Sequence, residues 1–464
     1  MFEISRNSPL SLVDQLVERI AGHILDGRLT EGSRLPSIRK LAGLTGASPF
    51  TVAEAYDRLV ARGLIESRAG RGFFVARRPV GALLAAIEAA PDPSTDALAL
   101  ARAAHARQED VIAPGSGFLP ESWLMEVAPG VTMTRLARNR RPSMWMPCSP
   151  QGLPELREQI AARLTQRGIV ASSAHIVTTF GASQAFDLIG RLLFTPGDAV
   201  LVEDPGYFVL FEQLRAHHVR LVPVPRQAGG PDVDALENAC RTHRPRALFT
   251  QTLLHNPTGT NTEPARCHRI LSLAEQYGFA IVEDDVYGDL YDGPAVRLAQ
   301  IDGLRHVLYV GSFTKLISPA LRTGFIAADP AVIAQLVERK LISVLSGSAL
   351  LETFVSEVLA SGRYHRHIEA LRPRLARARR DARRLLESAG IVFDDPGGEG
   401  LFLWGRLPDT ADVDEVLRSA RERSILLARG SLFSPCGGAS RRLRFNAPRS
   451  IAPELGRFLA EAVR

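Results

Sequence analysis

At 464 residues, with apolar residues at 45% and charged residues at 23%, the chain has material for two or three domains and excludes a disordered or fibrous protein. Lys and Arg outnumber Asp and Glu 56 to 50, and the net charge of +6 permits an anionic partner without selecting one. Cys148, Cys240, Cys267 and Cys436 are scattered, with no CxxC pair and no metal-ligand spacing, so free thiols in a reducing cytoplasm and no bound metal are expected. No window reaches eighteen uncharged apolar residues, and Met1-Phe2-Glu3-Ile4-Ser5-Arg6 lacks the apolar core of a signal peptide, so a cytoplasmic protein with no membrane partner is expected.

Residues 1–78 carry twelve Lys/Arg against eight Asp/Glu, which concentrates positive charge at this end. Leu12, Leu16, Ile20, Ile24 and Leu25 recur at helical spacing and stop at Asp26-Gly27, which predicts one amphipathic helix. A short helix is expected from Ser37, with Ile38, Leu41 and Ala42 inward. Another is expected after Ser48, with Pro49 at its first position and Val52, Ala55, Tyr56 and Leu59 inward. Leu64 to Ser67, the turn Arg68-Ala69-Gly70-Arg71-Gly72, and Phe73 to Val75 predict strand, tight turn, strand. Three helices and a hairpin in this length form a winged helix-turn-helix.

Residues 79–112 are rich in Ala and Pro and are expected to be a linker, with room for a helix lying on another surface. From residue 113 to 464 apolar runs alternate with helical patterns: Ile176–Thr179, Ala199–Val202, Arg220–Val224, Ala247–Thr250, Ala280–Val282 and Val307–Val310. Such alternation predicts an α/β domain with a mainly parallel sheet covered on both faces. Only Lys40, Lys315 and Lys340 are lysine among 56 basic residues, the rest being arginine. A lysine kept at Gly311-Ser312-Phe313-Thr314-Lys315 points to chemistry arginine cannot do, since a desolvated lysine can lose its proton and attack an aldehyde. Gly181-Ala182-Ser183 after the first run opens an apolar helix whose N–H groups suit a phosphate.

Asn256-Pro257-Thr258-Gly259, Glu283-Asp284-Asp285-Val286-Tyr287, Ser312-Phe313-Thr314-Lys315 and Arg322 follow in order, and with them residues 113–464 resemble a fold-type I aminotransferase, which binds pyridoxal 5'-phosphate. The resemblance implies a large domain with the mainly parallel sheet and a smaller α/β domain. It implies Lys315 as the residue forming the internal aldimine, Asp284 at the pyridine nitrogen, and Asn256 and Tyr287 at the ring oxygen. Ala182, Ser183, Ser312 and Arg322 would take the phosphate, Tyr207 the ring face, and Arg444 in Leu443-Arg444-Phe445-Asn446 the substrate carboxylate. Singly, the plainer readings come out ahead more often than not, with Asp284 as a loop cap, Tyr207 as core and Asn256 as a turn residue; jointly, in this order, they do not. Two positions depart from the pattern: Pro147 stands where relatives carry a tyrosine five residues before Gly152, with Trp145 nearby. Val209 stands where γ-aminobutyrate-sensing relatives carry arginine.

Gly32-Ser33-Arg34-Leu35-Pro36-Ser37-Ile38-Arg39, Thr51-Val52 and Gly63-Leu64-Ile65 make residues 10–76 similar to a GntR-type winged helix. The resemblance implies double-stranded DNA as partner. Ser48 and Thr51 would stand on the recognition helix, Arg34 and Arg39 at phosphate or base edges, and Arg71 and Gly72 at the minor groove. Pro49-Phe50 replaces the arginine usual after the helix-starting serine, and Phe50 reads either as a contact to a thymine methyl or as core. The arginine-dense stretch Arg363–Arg384 reads as the solvated face of a long helix, with a secondary DNA contact as the alternative. Joined, the two parts resemble the MocR-type regulators. That implies a homodimeric, pyridoxal-phosphate-dependent transcriptional regulator sensing a small amino compound through the Lys315 aldimine. An active aminotransferase working on an α-amino acid is the alternative, and a vestigial cofactor site a third.

Overall fold

The computed structural model describes residues 10–25, 28–30, 32–68, 70–76, 95–105, 111–127, 129–139, 144, 146–394 and 398–463. They belong to two compact units that divide between Asp92 and Pro93.

In the first unit, helix α1 (Leu12–Leu25) buries Leu16, Val17 and Ile20. Helix α2 (Ile38–Thr45) begins where the Ser37 hydroxyl accepts the Lys40 N–H and ends at Gly46, whose φ of 67° lies in the left-handed region that glycine tolerates. Helix α3 (Pro49–Ala61) is capped by Ser48, which accepts the Thr51 N–H at 3.1 Å. Val52, Ala55, Tyr56 and Leu59 bury one stripe of it against α1 and α2, and the Tyr56 hydroxyl donates to the Pro36 carbonyl at 2.7 Å. Strands β1 (Ile65–Arg68) and β2 (Gly72–Val75) pair antiparallel, and Arg34 bridges to Phe74.

Within the expected linker, residues 79–94 and 106–110 lie outside the described residues. Helix α4 (Thr95–His105) belongs to the second unit, where Ala97 and Leu100 pack in the core beside Phe208 and Phe211. Burial of apolar surface, not linker composition, decides that placement.

The second unit is built on β3 (Ile176–Thr179), β4 (Ala199–Asp204), β5 (Arg220–Gln227), β6 (Gly230–Pro231), β7 (Ala247–Thr250), β8 (Ala280–Asp284), β9 (Val307–Ser312) and β10 (Gly324–Ala327). Their order is β3-β10-β9-β8-β7-β4-β5-β6. The ladders joining β5, β4, β7, β8 and β9 are parallel, while β10 is antiparallel to both neighbours. Successive side chains enter opposite layers: Val200 and Val202 pack with Phe186 and Ile189, whereas Leu201 packs with Leu248, Ile281 and Ile270. Strands buried on both faces therefore read as unbroken apolar runs.

A smaller antiparallel sheet, β11 (Phe402–Arg406), β12 (Ala428–Arg429) and β13 (Arg442–Asn446) in the order β11-β13-β12, completes the unit. Its inward residues Leu403, Leu443 and Phe445 pack with Leu386, Leu455 and Leu459. The long helix Arg363–Ser388 buries Tyr364, His367, Ile368, Leu371 and Leu375, so part of the arginine-dense stretch is structural. Arg372 donates to the Asp289 carbonyl, and Arg374 lies 4.2 Å over the Trp123 ring. Among the described residues no helix is long and apolar enough to cross a membrane.

Candidate functional site

The parallel strands end at one edge of the sheet, and that edge holds a cavity of about 230 Å³. All nine residues expected around the cofactor line it: Ala182, Ser183, Tyr207, Asn256, Asp284, Tyr287, Ser312, Lys315 and Arg322. Asp284 ends β8, Ser312 ends β9, and Ala182 and Ser183 lie in the first turn of α5 (Gly181–Leu193). Gln251, Thr314, Phe118 and Ala101 join them without having been foreseen. Only Thr314 carried a sequence signal, standing directly before the lysine.

Burial above all, and then the positive charges of Arg444 and Arg322, lower the Lys315 amine to about 7 against the opposing pull of Asp284. Its Nζ sits 4.1 Å over the Phe118 ring and 3.4 Å from the Gly117 carbonyl. Burial likewise raises the Asp284 carboxyl to about 7, although the Val286 N–H and Gln251 Nε2, the latter at 2.8 Å, donate to it. Gln251 also accepts the Asn256 N–H at 2.8 Å, so one amide fixes both residues. Burial pushes the Tyr207 phenol up to about 12 and raises Tyr287 as well, so both are neutral hydroxyls at pH 7.

Three groups converge where a phosphate would rest: the first-turn N–H groups of α5, the Arg322 guanidinium and the Thr314 hydroxyl. Helix α5 has no side-chain cap, leaving first-turn N–H groups for another acceptor. Gly181 has φ 74°, and a Cβ there would meet Arg322 Nη2 at 3.1 Å and Thr314 Oγ1 at 3.2 Å. Thr314 Oγ1 is buried without a hydrogen-bond partner. These donors, the acid Asp284 and the neutral amine of Lys315 fit pyridoxal phosphate chemically.

Arg444 is 2% exposed on β13, opposite Trp404 and Ala428, so its side chain leaves the face used by Leu443 and Phe445. Its Nη1 donates to Asn256 Oδ1 at 2.9 Å and its Nη2 to the Gly115 carbonyl at 2.6 Å, with Phe402 and Phe433 rings 4.4 and 4.9 Å away. Asn446 Nδ2 donates to the Ser116 and Phe118 carbonyls at 2.9 Å each. The segment 115–118 is thus tied to Arg444, Lys315 and Asn446 at once. Beneath Asn256, buried Glu203 holds Arg226 at 2.8 Å and His255 at 2.7 Å. Val209 lines the cavity, Pro147 is exposed, and Trp145 lies outside the described residues.

In the first unit Arg34, Arg39 and Arg71 are exposed, and the Arg34 guanidinium lies beside the Gly72 backbone, 3.7 Å from where a Cβ would stand. Gly70 (φ 70°) and Gly72 (φ 100°) make the hairpin turn. Ser48 and Thr51 hydroxyls lie 2.9 Å apart at the exposed start of α3, and Phe50 is exposed between them. Among the described residues no group of three His, Cys, Asp or Glu side chains gathers as a metal site.

The second unit matches the aminotransferase class I and II family over residues 144–460, and the first matches the gntR family of bacterial regulatory proteins over residues 12–75. The chain is 30% identical over 450 residues to the uncharacterized HTH-type transcriptional regulator YdcR of Escherichia coli, covering 93% of this chain and 94% of that one. It is 30% identical over 389 residues to the probable rhizopine catabolism regulatory protein MocR of Rhizobium meliloti, covering 80% and 76%. The solved LysN α-aminoadipate aminotransferase of Thermus thermophilus, complexed with N-(5'-phosphopyridoxyl)-L-leucine, superposes with a TM-score of 0.70 at 26% identity, covering 79% and 96%. The chain belongs to the MocR-type transcriptional regulators, in which a GntR-type DNA-binding head is fused to an aminotransferase-like domain. Membership of the aminotransferase family implies pyridoxal 5'-phosphate as cofactor.

Proposed function

We propose that this regulator is a cytoplasmic homodimer that binds paired half-sites on double-stranded DNA and senses a small α-amino acid or similar amino carboxylate at Lys315. The observation that carries the reading is the double engagement of Arg444 with Asn256, which lines the lysine cavity, and with the Gly115 carbonyl behind it. When bound, pyridoxal phosphate supplies a carbon that accepts an amino group and a ring that draws off electrons. Thr314, Ser312, Arg322 and the first turn of α5 would hold its phosphate, Asp284 its ring nitrogen, Asn256 and Tyr287 its ring oxygen, and Tyr207 its ring face. Lys315 Nζ, poised near 7, gives up or takes a proton at small cost.

An entering carboxylate offers Arg444 a bidentate, charge-assisted partner better than a neutral carbonyl. Arg444 then leaves Gly115, and an amino compound competing for the lysine's place loosens Lys315 from the Gly117 carbonyl. Both losses fall on residues 115–118, which follow the chain that leads from the DNA-binding head. The effector thereby distinguishes two states of that segment, as coupling between sites requires. The homodimer is supported by the end of the helix Pro330–Val344, where Ile342 is 86% and Leu345 70% exposed beside Leu341 and Val344. Arg34, Arg39, Arg71 and Gly72 would meet the DNA backbone and minor groove, with α3 in the major groove.

The test is a spectral titration of the cofactor-loaded protein with a panel of amino acids, repeated while an end-labelled operator is footprinted. An amino acid that changes both spectrum and footprint, and does neither in Arg444→Ala, supports the reading. A footprint blind to every ligand that changes the spectrum overturns it. The near-neutral pKa of Lys315 also favours catalytic proton transfer, so multiple-turnover formation of keto acid would instead support the aminotransferase reading.

A further inference from the structure

Phe50 is 79% exposed in the first turn of α3, whereas Val52, Ala55, Tyr56 and Leu59 of the same helix are completely buried. At 100° per residue its side chain leaves the helix about 170° from the centre of that buried stripe. Its neighbours offer little to a base edge. Pro49 has no N–H, and the Ser48 hydroxyl is engaged by the Thr51 N–H and hydroxyl. One turn further along the outward side, Glu54 is held by Arg58 at 2.7 Å. The helix therefore leads with one large apolar ring at the end that reaches base edges in heads of this build.

A phenyl ring has no donor or acceptor, and on the major-groove edge only thymine presents an apolar group, its 5-methyl. We propose that Phe50 reads the 5-methyl group of a thymine in each half-site. The inference rests on the DNA-binding reading of the head and adds a base identity to it. Covering one methyl group corresponds to about a fourfold change in affinity.

The test begins with selection from a random duplex pool by the full-length, pyridoxal-phosphate-loaded protein. A fixed thymine is expected in each half-site. Replacing it by deoxyuridine, which keeps every hydrogen bond and lacks the methyl, is expected to weaken binding about fourfold. Phe50→Ala should bind the two duplexes alike, and Phe50→Leu should retain the thymine preference and covers the case of an Ala variant that does not fold. Selected sites without a fixed thymine, or a deoxyuridine penalty that persists in Phe50→Ala, overturn the proposal. A pool yielding no enriched sequence at all overturns the DNA-binding reading beneath it.

Discussion

The amine of Lys315 should titrate far below the other lysines, and the chain is well suited to showing it because it has only two others, Lys40 and the buried Lys340. With a pKa of about 7 against an ordinary 10.5, half of Lys315 is neutral at pH 7, while an ordinary lysine is neutral in about three molecules in ten thousand. The neutral fraction is therefore larger on the order of a thousandfold. Burial is the largest cause, and Arg444 and Arg322 add to it. Competitive acetylation of the apoprotein with limiting acetic anhydride, read by peptide mass spectrometry, reports neutral amine directly. Lys315 labelling should rise about tenfold per unit up to pH 7 and then flatten, while Lys40 keeps rising. Asp284→Asn should move the midpoint lower, because Asp284 is the neighbour that holds the proton on. A Lys315 profile still climbing tenfold per unit past pH 9 would refute the desolvation argument.

Replacing Arg444 by Lys removes the planar fork and should weaken carboxylate effectors by about 2–5 kcal/mol while sparing amines without a carboxylate, measured by spectral titration. Because the folded pKa of Lys315 lies below its unfolded value, only the unfolded chain carries that proton between about 7 and 10.5. Its contribution to stability therefore rises with pH in that window by up to about 1.4 kcal/mol per unit and is absent below it. Denaturant titrations of the apoprotein should show the slope, relative to Lys315→Met. Glu203→Gln leaves Arg226 and His255 buried without their shared carboxylate, and thermal melts should show a loss of about 3–5 kcal/mol. Ile342→Asp should shift the sedimentation profile toward monomer, and an unchanged profile places the subunit contact elsewhere.

The sequence by itself determined the pieces whose signal is local. Ser37, Ser48 and Pro49 start helices by chemistry confined to one turn, and six apolar runs became strands, five of them because both their faces are buried and the run in β5 because Val222 and Val224 fill its inner face. A lysine among arginines marked the cavity for the same reason, since one position needed an amine that can lose its proton. Tertiary structure alone decided what depends on distant partners. Strand β10 is four residues long and carries no alternation, and it exists only because β3 and β9 flank it. Ala101 sits in a stretch that composition marks as linker, yet packing of α4 brings it to the cavity wall. Gln251 follows a strand without any motif, and its value lies in touching Asp284 and Asn256 together. Most of all, the approach of Arg444 to the Gly115 carbonyl joins residues more than three hundred positions apart. No periodicity encodes such a contact, because it is fixed by residues 112–115 bonding to the backbone of Leu426 and Asn446 beside the smaller sheet.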